Sequence, residues 1–227
     1  MWFILIAAAI ITIAIILDWR DGRPSAAPKA RGFWSLKTKC NCKCPVCRKR
    51  DELRKLFQEH SWWTRQVVVS AGAKLPDLDA AVKRLKDNQT DIALAIGGTD
   101  EAVVQVQKRL WDEHIDVAIA VVGAATAAYQ NPSSMLLTSW TDDPSVQTEL
   151  AKWKLNASEI AFALTALRPK HLTYAATNDM MQMHLTTLLT DVVARIESRW
   201  DDDVVAMQAV EDHILNMADA LAVAFAS

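Results

Sequence analysis

Four histidines and two carboxylates recur at matched places along the 227-residue chain. His60, His114 and His184 each lie on the apolar stripe of a helix-periodic segment. The segment after each one carries a second polar residue. Asn88-Gln89-Thr90-Asp91-Ile92-Ala93 reads almost like Asn156-Ala157-Ser158-Glu159-Ile160-Ala161, and Asp212-His213-Ile214-Leu215 takes the corresponding place in the third pair. The chain therefore reads as a threefold internal repeat whose unit is a helix pair. At a rise of roughly 1.5 Å per residue, His60, Asp91, His114, Glu159, His184 and His213 would share one level of an up-down bundle, about 18–25 Å from one end, and point inward. Imidazoles and carboxylates gathered so could bind one or two transition metals. The same groups could instead hydrogen-bond one another between helices and fix their register. No Glu-x-x-His pair is present, so the usual carboxylate-bridged di-iron signature is missing. Asp191, two turns after His184 on the same face, could join or orient the set.

A second constellation is Cys40-Asn41-Cys42-Lys43-Cys44-Pro45-Val46-Cys47. Thiols set among Lys and Arg are expected to have depressed pKa values. Cys44-Pro45-Val46-Cys47 is like half of a zinc knuckle, but a second pair far along the chain is absent. Four readings stay open: zinc held by Cys40, Cys42, Cys44 and Cys47 or shared between copies, lipidation of juxtamembrane thiols, redox pairing, and no special role. The methionines Met180, Met181 and Met183 read as core filling, as do the tryptophans of the bundle.

The elements that must position these residues are helices. Residues 48–227 show helical periodicity throughout and no β alternation. Helices are expected over 48–71, 77–97, 100–130, 145–167, 178–200 and 202–226. Gly72 and Pro76 separate the first two, and Gly97-Gly98 ends the second. Thr99, Asp143 and Asn178 are candidate caps, with Pro144 at a first helical position. Leu56, Phe57, Trp63 and Val67 form one apolar stripe, and Leu110, Trp111, Val117 and Val121 another. The expected fold is all-α: an N-terminal transmembrane helix followed by a bundle of three helical hairpins.

Residues 1–19 read as a membrane anchor. Trp2 to Leu17 carry no charge, and Trp2 and Trp19 suit the two interfaces. Absence of a positive leader argues against a cleaved signal peptide. Residues 20–47 read as a basic tether containing the cysteines, suited to anionic headgroups. From Asp18 to Lys55 there are 12 Lys or Arg and 4 Asp or Glu, which is net +8. That excess places the body on the cytosolic face. From Leu56 onward there are 13 basic and 23 acidic residues, net −10, so nucleic acid is not an expected partner.

Several stretches of the body resemble a family of uncharacterised helical proteins of large DNA viruses and bacteria, often labelled acetylglutamate kinase by automatic transfer. They are Leu56-Phe-Gln-Glu-His-Ser-Trp-Trp-Thr-Arg65, Leu75-Pro-Asp-Leu78, Asn88-Gln-Thr-Asp-Ile92, Glu113-His-Ile115, Asn156-Ala-Ser-Glu-Ile160, His184-Leu185 with Asp191-Val-Val-Ala-Arg195, and His213-Ile-Leu-Asn-Met-Ala-Asp219. The resemblance spans about residues 53–225 and excludes the anchor and the cysteines. Family members often have Glu where this chain has Asp191. The kinase label does not suit the residues, because an amino-acid kinase needs an α/β sheet and Gly-rich phosphate loops. The expectation is a structural protein on a membrane, a virion component between an internal bilayer and the capsid shell, with other structural proteins as partners. The competing expectation is a metal-binding bundle, oxygen- or redox-active.

Overall fold

The computed structural model describes residues 44–134, 137 and 139–226. The anchor with Trp2 and Trp19, and the thiols Cys40 and Cys42, lie outside the described residues. Among those described there are six α-helices and no strand. They are α1 (Pro45–Ala73), α2 (Leu78–Gly97), α3 (Glu101–Gln130), α4 (Pro144–Leu167), α5 (Tyr174–Ile196) and α6 (Trp200–Phe225), with a short 3-10 turn at Trp140–Asp142. None of these helices is long and apolar enough to cross a membrane.

Local chemistry sets the ends. Cys44 caps α1, its sulfur accepting from the Cys47 N–H at 3.2 Å, so regular structure begins within the stretch expected to be tether. Asp100, rather than Thr99, caps α3 through the Val103 N–H. Asp143 caps α4 with Pro144 in the first turn, as its spacing suggests. Thr173 caps α5, so that helix starts a turn before Asn178. The side chain of Asn178 instead accepts from the Ser158 hydroxyl at 2.9 Å, tying α5 to α4.

Each helix packs on its neighbours in sequence, and α6 returns to α1, so the six close into a ring. Short connections force neighbours antiparallel. Long-range bonds agree: Lys49 near the start of α1 donates to the Ala95 carbonyl near the end of α2, and Arg54 pairs with Asp219 near the end of α6. The odd-numbered helices α1, α3 and α5 also touch one another inside the ring. Their buried faces run Leu53, Phe57, His60, Thr64, Val67 on α1 and Met181, His184, Leu188, Asp191 on α5, a repeat of three and four residues. The histidines are therefore members of the core stripe.

The turn from α2 to α3 is tight. Gly98 adopts φ +60°, and a Cβ on Gly97 would lie 2.6 Å from Val104 Cγ2 and 3.0 Å from its backbone nitrogen. Gly97→Ala should lower stability by about 1–3 kcal/mol, the range for forcing extra volume into a packed site. Lys74 holds a left-handed conformation at the α1 C-cap, φ 53°, where glycine is unstrained. Lys74→Gly should raise stability by up to about 1 kcal/mol. Urea unfolding of the two variants, which should move in opposite directions, checks both.

Candidate functional site: a buried histidine layer

The same bond occurs once in each hairpin. The Asn88 amide of α2 donates to the Leu56 carbonyl at 3.0 Å. The Asn156 amide of α4 donates to the Leu110 carbonyl at 3.1 Å. In α6 the ring of His213 donates through Nε2 to the Met180 carbonyl at 3.0 Å. Leu56, Leu110 and Met180 lie four residues before His60, His114 and His184. Each carbonyl already accepts the helical N–H of its histidine, and the neighbouring helix takes its second lone pair. Three hairpins thus share one stitch at one level, and the internal repeat read from sequence is present as geometry.

The imidazoles meet at His184. Its ring centroid lies 6.0 Å from that of His60, 5.9 Å from that of His114 and 6.3 Å from that of His213. His60, His114 and His184 are each at most 3% exposed, and His213 is half-buried. Tautomers follow from partners. Trp153 donates its indole N–H to His114 Nε2 at 3.2 Å, so His114 carries its proton on Nδ1 and gives it to Asn156 Oδ1 at 2.8 Å. Gln89 Nε2 lies 2.6 Å from His60 Nδ1 and donates to it. His184 fares differently. Where the other hairpins offer an amide to the ring edge, the third offers the face of His213, stacked within 11°. His184 Nδ1 is buried with no hydrogen-bond partner.

Burial keeps the layer neutral. Loss of water pushes His60 down to about 3, helped by nearby His114 and opposed by the Asn88 amide. It pushes His114 to about 4, against the Asn156 bond. His184 falls well below its ordinary value, first from burial and then from the three imidazoles around it. His213 is lowered for the same first reason.

Toward the hairpin-loop end lies an ionic clamp. Arg65 of α1 binds Asp203 of α6 with two parallel bonds of 2.5 Å and Asp191 of α5 at 2.8 Å. Arg195 adds a 3.3 Å bond to Asp203. Asp203 is held below the usual carboxylate range by the Arg65 bond. Asp191 is fully buried, its Oδ2 has no partner, and burial raises it to about 6, with the Asp203 charge adding to the rise and Arg65 opposing it. Asp191 therefore serves a helix-to-helix ion pair.

Two expected members of the level are elsewhere. Asp91 and Glu159 are exposed. The residues three positions earlier, Asn88 and Asn156, take the inward places. Three residues leave a net displacement of about 60° around the helix, which moves each carboxylate from the buried stripe to its solvent-facing side. An uncharged amide is also much cheaper to bury than a carboxylate. The signal was available: Asn88 and Ile92, like Asn156 and Ile160, are four apart on the apolar stripe. Among the described residues no three His, Cys, Asp or Glu are placed to hold a common metal ion.

A cavity of about 30 Å³ lies beside the layer, lined in part by His60, His114, His184 and Thr64. Thr64 Oγ1 is also buried without a partner. That space suffices for an ordered water. On the outside, α3, α4 and the start of α5 form a groove of about 780 Å³ edged by Val106, Leu155, Phe162 and Tyr174. Comparisons with protein-family models, with curated proteins and with solved structures find nothing that matches the chain.

The layer sets a pH dependence. Histidines held neutral in the fold still take protons in the unfolded chain below its pKa of roughly 6.5, so stability is full above that value and falls as the pH drops toward the folded values of about 3 and 4. At pH 5 the loss is of order 2 kcal/mol for each fully buried imidazole. Asp191 acts oppositely, since its raised pKa favours the fold below roughly 3.8 and that gain disappears as the pH rises through about 6. Three buried imidazoles outweigh one carboxyl. Thermal unfolding midpoints should therefore fall steadily from pH 6.5 to pH 4. Asn156→Ala, which strips partners from His114 and the Leu110 carbonyl, should cost about 2–4 kcal/mol in urea unfolding at pH 7.

Proposed function

We propose that this is a structural protein: a helical body that an N-terminal apolar segment, residues 1–19, fixes to a membrane, serving as a spacer or anchor between that bilayer and other proteins. The observation that carries the reading is the use of the polar interior. Asn88, Asn156 and His213 are spent on neighbouring backbone, and Arg65, Asp191 and Asp203 on one another. These bonds join helices. The two carboxylates that could have completed a ligand set face solvent. Charge supports the tether: the net +8 stretch from Asp18 to Lys55 follows the apolar run directly, which suits a cytosol-facing body held near anionic lipid. The exposed groove edged by Phe162 and Leu155 is consistent with a protein partner. A place between the internal membrane and the shell of a large DNA virus follows from the resemblance of the body to viral helical proteins.

The full chain should remain with membranes after alkaline and high-salt washing. Ile10→Arg combined with Ile13→Arg, each costing about 3 kcal/mol at the centre of a span, should release it while leaving its helical content unchanged. Wild-type protein that washes off freely would overturn the anchor.

A second reading, a bundle that binds a transition metal or small polar ligand, has one observation in its favour. His184 Nδ1 and Thr64 Oγ1 are both partnerless, and both residues line the internal cavity. Elemental analysis and His184→Leu separate the two readings. A cohesive interior predicts metal-free protein whose stability is unchanged or raised by about 1 kcal/mol when the orphan nitrogen is removed. Stoichiometric metal that disappears in His184→Leu would establish the second reading.

A further inference from the structure

The cysteines at the start of α1 take no part in the histidine layer or the Arg65 clamp. Cys44 precedes the helix in extended backbone, φ −68° and ψ 152°, while Cys47 completes its first turn. Pro45 fixes the entry to the helix and removes an N–H that would have had no acceptor. The two sulfurs consequently lie 2.8 Å apart and share a hydrogen bond. Both residues are partly accessible.

The thiols are unequal. Cys44 is lowered from the ordinary thiol value, first by the hydrogen bond it shares with Cys47 and then by the Cys47 N–H, with the Val46 N–H and the Arg50 charge acting in the same direction. Cys47 is raised, first by the same shared bond and then by burial. Cys44 Sγ sits at the helix N-cap and accepts the Cys47 N–H at 3.2 Å, which stabilises its thiolate and makes it the attacking sulfur, with Cys47 beside it to resolve.

We propose that Cys44 and Cys47 are a redox-active dithiol that a low-molecular-weight disulfide oxidises, with Cys44 attacking and Cys47 resolving. Cys44 loses its proton to solvent and its thiolate attacks one sulfur of the oxidant. A Cys44–SR bond forms, the S–S bond of the oxidant breaks, and the departing thiolate takes a proton. Cys47 then gives up its proton and attacks Cys44 Sγ. The Cys44–Cys47 bond forms, the mixed disulfide breaks, and the second thiolate leaves and is protonated. Two electrons pass from the dithiol to the oxidant, giving one protein disulfide and two small thiols. The site takes disulfides or thiols as its reaction class, and it does not depend on the spacer reading of the bundle.

The test uses the full chain and glutathione disulfide, with peptide mass spectrometry as readout and helical content as the control for folding. Carrying Cys40→Ser and Cys42→Ser, the chain should lose two hydrogens and yield a Cys44–Cys47 cross-link. Adding Cys47→Ser should trap glutathione on Cys44 about tenfold faster at neutral pH than Cys44→Ser allows on Cys47. Iodoacetamide labelling of Cys44 should reach half its maximal rate at lower pH than labelling of Cys47. Equal rates at the two positions, or two separate adducts with no cross-link, would overturn the assignment. So would a wild-type chain whose four thiols hold zinc and withstand the disulfide.

Discussion

The fold is organised by the removal of water from a layer of imidazoles. Three rings brought within about 6 Å of a fourth could not stay together if charged. Burial settles the matter by making the neutral form the stable one at physiological pH. Neutral imidazoles then behave as flat, weakly polar core residues, each with one donor and one acceptor to satisfy. Much of the geometry around them follows from that requirement. Asn156 accepts from His114 and also donates to a backbone carbonyl, so one amide anchors both a ring and a helix. A bundle held only by aliphatic contacts can slide by a turn at small cost. One held by a stitch per hairpin loses a buried hydrogen bond if it slides.

The layer and the Arg65 clamp divide the work along the axis. The layer joins each odd helix to its hairpin partner, through Asn88, Asn156 and His213. The clamp joins helices of different hairpins: α1 carries Arg65, while α5 and α6 carry the carboxylates. Closure of the ring brings α6 against α1, and that seam has no short loop to hold it. It is there that the buried ion pair with Asp203 occurs, with the Arg54–Asp219 pair further along the same seam. A bidentate guanidinium–carboxylate pair fixes both distance and orientation, which apolar contact does not.

The sequence made the helices and the repeat legible because both depend on short-range spacing. Helix ends shifted by a few residues where an unnoticed cap, Cys44 or Thr173, was the better one. The histidines were legible because they interrupt apolar stripes at stripe positions. Asp91 and Glu159 misled because their chemistry suited a metal site, while their phase on the helix did not suit the core. Phase was the better guide, as the inward Asn88 and Asn156 show. Arg65 was beyond sequence reading. Its partners lie 126 and 138 residues away, and nothing local distinguishes it from other basic residues on helix faces.

The third hairpin is where the repeat departs from itself, and the departure explains the one weak point of the layer. An asparagine in place of His213 could have donated to the Met180 carbonyl and accepted from His184 together, as Asn156 does for its own hairpin. The imidazole has one nitrogen on the carbonyl and places its ring face, instead of an acceptor, toward His184. The orphan Nδ1 of His184 follows directly from that exchange. The same ring packs against three other imidazoles. Dispersion contacts there offset a nitrogen left without a partner.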